Sequence, residues 1–126
     1  MLIEKSLESL KVPIKTLHLL DGNPRQGNVE ALVNSLSTFG QLKPVVYRLQ
    51  KVDGHVKRKR VIIAGNHTVK AAQELGWSEI AAVDASRLTD KEAKAFAIAD
   101  NAEMYTYNPG GVALALGKNT GQSVEG

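Results

Sequence analysis

The stretch RVIIAGNHTVKAAQELGW at residues 60–77 decides the fold. Its first five residues are mostly apolar, which favours a strand buried on both faces. Residues 65–67 then turn the chain into a predicted helix at 68–75, which Gly76 ends. A glycine after a buried strand lets backbone amides approach a ligand closely, and a helix that begins there directs N–H groups at the same space. The stretch therefore predicts a strand, a turn and a helix that together can hold an anion.

Strand and helix signals alternate on both sides of this unit. Pro13 favours a sheet edge, Asn28 can cap a helix that Gly40 ends, and a capping box at 89–92 starts a last helix. The predicted strands lie at 10–20, 44–49, 60–64 and 79–85, and the predicted helices lie at 29–39, at 68–75 and after the capping box.

These elements predict one α/β (α+β) domain over residues 1–107, in which a small mixed sheet is flanked by helices. Residues 108–126 are predicted to form a glycine-rich C-terminal extension that is either flexible or an artificial chain end.

The composition narrows the classes of function. The 126 residues are 43% hydrophobic and 23% charged, a balance typical of a globular domain. There is no cysteine, which excludes disulfides, thiolate metal sites and cysteine nucleophiles. No apolar run approaches the roughly 20 residues of a membrane helix, and the first residues lack a secretory signal. We therefore expect a soluble, intracellular protein with no membrane partner.

Positive charge is concentrated in one predicted hairpin. The net charge is +3, whereas residues 51–60 hold five cations against Asp53, and five minus one is +4. Such a cluster either attracts the phosphate backbone of DNA or forms the solvated tip of a hairpin. The candidate DNA-binding residues are Lys51, Lys57, Arg58, Lys59 and Arg60.

Two further groups carry candidate ligands. Asp100 follows Ala93 by seven residues and Phe96 by four, which predicts that all three face inward from the last helix. With Asn101 it could bind Mg²⁺ or a nucleotide hydroxyl, or it could lie at a fraying helix end or pair with a cation. Arg25, in the turn Asn-Pro-Arg, could reach a phosphate or a surface carboxylate.

Four motifs, taken in order, resemble the ParB/sulfiredoxin superfamily across residues 10–107. They are NPR at 23–25, SLSTFGQLKPVV at 35–46, GNHTVKAAQELGW at 65–77 and RLTDKEAKAFAIADN at 87–101. The resemblance implies a ParB-like nucleotide-binding domain that acts in DNA partition, DNA modification or phage DNA metabolism, in the cytoplasm of a bacterium or of a phage-infected host cell. It implies a nucleotide, CTP or ATP, with Mg²⁺ held by Asp100. The residues implied for nucleotide and phosphate binding are Arg25, Gly40, Gln41, Pro44, Gly65, Asn66, His67, Thr68, Lys70 and Asn101.

The chain departs from the family pattern at the turn itself. Asn66 replaces the family's acidic residue, His67 and Thr68 replace adjacent arginines, and Lys70 keeps a cation. Triphosphate recognition benefits from guanidinium forks, so these changes weaken it. Asn66 also stands where sulfiredoxin has its cysteine nucleophile, which argues against that activity. The spellings GNH and ADN are similar to ParB-like domains of phages and mobile elements, often called ParB-like nucleases.

Several functions remain open at this point. The first is an Mg²⁺-dependent NTPase switch on DNA, and the second is a metal-dependent DNA nuclease with His67 and Asp100 as its catalytic pair. The third is a non-catalytic DNA-binding or protein-interaction module, and a free-serine kinase activity is known elsewhere on this fold. Because no helix-turn-helix follows the domain in this sequence, we expect either that the chain is a fragment of a longer protein or that it acts as a homodimer or with a partner that supplies DNA specificity.

Overall fold

The computed structural model describes residues 1–19 and 26–106, and the side chains of residues 26–28 and 101–106 are not described. Five strands and three α-helices make up this part of the chain, with two short 3-10 helices at Lys5–Leu10 and Ile14–Thr16. The strands are β1 (Lys11–Pro13), β2 (Leu17–His18), β3 (Val45–Gln50), β4 (Lys59–Ala64) and β5 (Glu79–Asp84). The α-helices are α1 (Gln26–Phe39), α2 (Asn66–Glu74) and α3 (Asp90–Thr106).

The strands form one mixed sheet in the order β1-β5-β3-β4-β2. β3 is antiparallel to β4 and parallel to β5, while β2 is parallel to β4 and β1 is antiparallel to β5. Because β3 and β4 are antiparallel, the first residues of β3 lie beside the last residues of β4, next to Gly65. We call this the Gly65 end of the sheet and the opposite end, where residues 51–58 connect β3 to β4, the hairpin end.

Helices cover both faces of the sheet, as predicted for a flanked mixed sheet. Ile62 packs in the larger core, which includes Val29 of α1 and Val69 of α2. Ile63 points to the other face and packs against Ala93 of α3. Successive side chains of a strand point to opposite faces. The apolar run of β4 is therefore buried on both sides, which confirms the prediction from its sequence.

The predicted strand at 10–20 is wrong as a continuous element. Pro13 has no backbone N–H, and it precedes the 3-10 helix Ile14–Thr16, which separates β1 from β2. The amide of Ile14 donates to the carbonyl of Ser78 (2.9 Å), and the buried Ile14 side chain joins the larger core. The two short strands consequently pair at opposite edges of the sheet, β1 with β5 and β2 with β4.

Two helices begin earlier than the sequence predicted. Asn28 lies inside α1 and is not its cap, since α1 starts at Gln26. α2 starts at Asn66, two residues before the predicted start, because Gly65 itself is the N-cap and turns the chain in one step. The capping box of α3 is confirmed. The Thr89 amide donates to the Glu92 carboxylate (2.9 Å), and the Glu92 amide donates to the Thr89 hydroxyl (3.1 Å).

The predicted inward face of α3 is only partly correct. Ala93 is buried and Asp100 is half-buried, whereas Phe96 is 39% exposed. At about 100° per residue, Asp100 lies within about 20° of Ala93 around the helix, but Phe96 lies about 60° away. The helix rests on the sheet through its small residue Ala93, so Phe96 stays at the margin of the contact.

Candidate functional site

The turn after β4 requires glycine for two reasons. Gly65 has a φ of +100°, in the left-handed region that side chains rarely adopt. A Cβ atom at this position would lie 2.5 Å from Cγ1 of Val45, the first residue of the neighbouring strand β3. The backbone of the turn thus lies directly against β3, and α2 begins without any intervening loop.

The N-terminus of α2 presents unpaired amides at this turn. The amide of Val69 makes the first bond within the helix, to the carbonyl of Gly65 (2.9 Å). The amides of residues 66–68 therefore have no carbonyl inside α2, and they carry the positive end of the helix dipole. The side chains of Asn66, His67 and Thr68 are half-buried, while Lys70 is exposed. This arrangement can hold an anion through backbone donors.

Asn66 carries an unused acceptor at the same place. Its Oδ1 atom is buried and has no hydrogen-bond partner among the described residues. Leaving a buried acceptor unpaired costs about 1–3 kcal/mol. A ligand hydroxyl, a base amino group or a metal-bound water would supply the missing donor, so the atom fits a site that a ligand completes.

Gln41 supports the sheet through its side chain. The residue is 2% exposed, and its Nε2 atom donates to the carbonyls of Lys43 (2.9 Å) and Ala81 (3.0 Å). Its Oε1 atom accepts from the amide of Ala81 (2.8 Å). Both amide hydrogens are used in this way, so Gln41 contributes to the site by fixing the chain before β3.

Gly40 and Pro44 flank this anchor. Gly40 ends α1 with a φ of +77°, and its amide donates to the carbonyl of Leu36 (3.0 Å). Pro44 is half-buried and directly precedes Val45, which packs against Gly65. The structure therefore brings Pro44 to the Gly65 end of the sheet, beside the predicted phosphate-binding turn.

α3 runs toward the same end of the sheet. Its first residue, Asp90, forms an ion pair with Arg48 of β3 (Nη2–Oδ1 2.8 Å), and Ala93 packs on Ile63, nearer to Gly65. Asp100 lies a further ~10 Å along the helix axis. The predicted metal ligand is thus carried toward the Gly65 end. The side chain of Asn101 and all of Arg25 lie outside the described residues.

The predicted DNA-binding cations fall into two groups. Lys51, Lys57 and Arg58 are exposed in the loop at the hairpin end, whereas Lys59 and Arg60 are half-buried within β4. The Arg60 guanidinium lies 5.3 Å from the centre of the Tyr47 ring and donates to the Thr16 hydroxyl (3.3 Å). Arg60 therefore has structural contacts that the loop cations lack.

An open cleft lies at the hairpin end. Its lining combines two of the predicted DNA-binding cations, Lys51 and Arg58, with residues that the sequence did not mark as candidates. Its volume is about 270 Å³, and it is lined by Arg48, Leu49, Gln50, Lys51, Arg58 and Asp90. The alternation of β3 could have indicated Arg48, since Arg48 and Gln50 share one face with Val46. This cleft and the Gly65 turn lie at opposite ends of β4, whose six residues span about 20 Å.

The ParB N-terminal domain family matches residues 4–102 of this chain. The chain belongs to this family. As a ParB N-terminal domain, it is 33% identical over 115 residues to a nucleoid occlusion protein of Geobacillus sp. (strain WCH70). The match covers 88% of this chain and 39% of that protein, so the chain spans about two fifths of its relative.

Solved structures support the same fold. The C-terminally truncated chromosome-partitioning protein ParB from Caulobacter crescentus, complexed with CTP-gamma-S, aligns with a TM-score of 0.62 and 24% identity over 74% of this chain and 52% of that one. The same truncated protein complexed to the centromeric parS site aligns with a TM-score of 0.59 and 22% identity, over 78% of this chain and 49% of that one. These likenesses confirm the predicted fold of the ParB N-terminal domain. The phage or mobile-element subtype stays a prediction.

The described residues offer few ligands for the predicted metal site and for the predicted nuclease. Within residues 1–19 and 26–100, no three His, Asp or Glu side chains lie close enough together to hold a metal ion. DNA held by the loop cations would have to extend about 20 Å along β4 to reach His67. In the described ranges, no helix is both long and apolar enough to cross a membrane.

Proposed function

We propose that this ParB N-terminal domain binds a nucleotide, CTP or ATP, at the Gly65 turn as part of a protein that acts on DNA in the bacterial cytoplasm. The observation that carries the proposal is the left-handed Gly65 packed against Val45, which places at this turn three amides that have no carbonyl partner within α2. Two comparisons support it. The Caulobacter ParB of similar fold was solved with CTP-gamma-S, and the curated relatives are nucleoid occlusion proteins.

The phosphates would be held mainly by the backbone. Amides of residues 66–68 donate to phosphate oxygens, and the exposed Lys70 adds one point charge from the start of the second helical turn. Arg25 would close over the phosphates, and Asn101 would act with Asp100 to position Mg²⁺ or the phosphate chain. Because no described residue offers a guanidinium fork at this turn, recognition depends on the helix N-terminus more than on side-chain charge.

The donor set fits Mg²⁺ that arrives with a nucleotide. Mg²⁺ is usually held by one or two carboxylates together with substrate phosphates and water. Asp100 supplies one carboxylate on the helix that runs toward the turn. The ion would neutralise charge on the phosphates. NTP hydrolysis, and with it an NTPase switch, stays a prediction.

The proposal is tested by isothermal titration calorimetry with CTP, ATP, GTP and UTP, each with magnesium chloride or with EDTA. We expect at least one nucleotide to bind, and Lys70→Gln to weaken it about tenfold, the effect of one lost charge-assisted contact. Asn66→Ala should also weaken it. Lys94→Gln is the matched control, because it removes the same charge from an exposed lysine on α3. Absence of binding by all four nucleotides would contradict the proposal.

The non-catalytic alternative makes the opposite prediction. A DNA-binding module with an inactive pocket would bind DNA in a salt-dependent manner and would give no calorimetric signal with any nucleotide. The metal-dependent nuclease hypothesis predicts cleavage of DNA that is lost in His67→Ala. The ligand set around His67 gives that hypothesis no additional support.

A further inference from the structure

The cleft at the hairpin end has the chemistry of an anion site. Three of its lining side chains are cationic, Arg48, Lys51 and Arg58, and one is anionic, Asp90, so the lining carries +2. The cleft is open and mostly polar, whereas pockets for small organic ligands are usually enclosed and largely apolar. Such a surface suits a charged group that belongs to a larger, solvated molecule.

Arg48 is held rigidly in this cleft. Its side chain is 14% exposed, and its Nε atom donates to the carbonyl of Leu88 (2.8 Å). One terminal nitrogen donates to the Gln50 side chain (2.8 Å), and the other contacts the Asp90 carboxylate (2.8 Å). A guanidinium has five N–H donors, and these contacts use three of them. The position of Arg48 is thus fixed before any ligand arrives.

Asp90 stands where an anionic ligand would bind. Its side chain is 87% exposed, and it pairs with Arg48 from the first turn of α3. Carboxylates and phosphates bind a guanidinium fork in the same bidentate geometry. Among the described residues, Lys51 and Arg58 have no carboxylate within 4.0 Å. The cleft therefore combines one internally paired cation with two unpaired ones.

We propose that this cleft binds a backbone phosphate of DNA and that the Asp90 carboxylate competes with the phosphate for Arg48. The inference rests on the DNA partner in the proposed function, but it concerns a different site from the nucleotide turn. A phosphodiester brings one charge and two unesterified oxygens, which match the bidentate geometry of the guanidinium edge that Asp90 now contacts. Lys57 is exposed in the same loop but does not line the cleft.

Fluorescence anisotropy with a labelled duplex, at several salt concentrations, tests the cleft. Lys51→Gln and Arg58→Gln should each lower affinity and reduce the salt slope by about one unit. Lys57→Gln removes the same charge from the same loop but not from the cleft, so it should lower affinity less. Equal losses for all three variants would indicate a diffuse positive patch and would overturn the proposal.

The role of Asp90 is tested by a gain of binding. Asp90→Asn should raise DNA affinity roughly tenfold, because it frees one charge-assisted contact of Arg48 for the phosphate. Asp53→Asn is the matched control, since it removes the same charge from the neighbouring exposed loop and contacts no part of the cleft. Equal gains from both variants, or no gain from Asp90→Asn, would contradict the competition.

Two further measurements separate this proposal from the nucleotide site. Inorganic phosphate and free CTP should compete poorly with the duplex, because neither carries a series of phosphates spaced along a backbone that could contact the cleft and the other loop cations together. Strong competition would overturn the assignment to DNA. Nucleotide calorimetry on Arg58→Gln should match the parent protein, since the cleft lies at the other end of β4. If no nucleotide binds but the cleft variants change DNA affinity as expected, the proposal for the cleft is supported and the nucleotide proposal fails.

Discussion

Gly65→Ala should destabilise the protein through two separate effects. The left-handed backbone costs a residue with a Cβ about 1–2 kcal/mol. The new Cβ would also lie 2.5 Å from Val45 Cγ1 and 2.8 Å from Val45 Cβ, inside van der Waals contact. Overpacking of this kind costs about 1–3 kcal/mol. The sum is about 2–5 kcal/mol, a large part of the ~5–15 kcal/mol that keeps a domain folded.

Gly54→Ala provides the matched control for this prediction. Gly54 has a φ of +86°, but a Cβ there would have no heavy atom within 4 Å. It should therefore show only the backbone cost of about 1–2 kcal/mol. Urea denaturation followed by circular dichroism compares the two variants. In a Val45→Ala background, Gly65→Ala should cost less stability than in the parent protein, because Cγ1 of Val45 is then absent. If Gly65→Ala is no less stable than Gly54→Ala, the inference that Gly65 lies in close contact with Val45 of β3 is wrong.

Two other variants test the parts of the fold around the site. Gln41→Leu should lower the free energy of unfolding by about 2–5 kcal/mol, because the backbone N–H and C=O of Ala81 both lose their partner. Gln73→Leu, at an exposed position, is the control. A smaller loss of stability in Gln41→Leu than in the control would refute this prediction. Hydrogen bonds from the Ser86 hydroxyl and amide lower the pKa of Asp84 in the folded protein. The Asp84 carboxylate therefore stabilises the folded state at pH values above the pKa of the unfolded chain. This contribution is lost as the pH falls through the lowered pKa of the folded state. Asp84→Asn should therefore reduce stability near neutral pH and have a smaller effect in acid, measured as urea midpoints across that range. An effect independent of pH would contradict the role of the charge.

The sequence predicts the centre of the fold well because the signals there are local. An apolar run, a glycine and a helical pattern follow one another between residues 60 and 77, and each element is specified by its own residues. The capping box at 89–92 is predictable for the same reason, since its two hydrogen bonds lie within four residues. The family resemblance rested on the order of four motifs, and the match over residues 4–102 confirms that the chain belongs to the ParB N-terminal domain family.

The contacts that the sequence did not predict join residues that are far apart in the chain. Gln41 bonds to Ala81, forty positions away, and Arg48 reaches Leu88 across the same separation. No local pattern marks either contact. The break of the first predicted strand at Pro13 has a similar cause, because the bond from Ile14 to Ser78 replaces regular pairing. The unpaired Oδ1 of Asn66 was likewise unpredictable, since burial of one atom depends on the packed environment of the turn.

The most direct test of the central claim is an amide NMR titration of the ¹⁵N-labelled protein with CTP and ATP in the presence of magnesium. If the Gly65 turn holds phosphates, the largest shifts will occur at Asn66, His67 and Thr68, whose amides become hydrogen-bond donors to the ligand. Gly54 and Gly76, which share the left-handed conformation but lie away from the turn, should stay unchanged. Shifts confined to other residues, or no shifts at the turn at saturating nucleotide, would contradict the account.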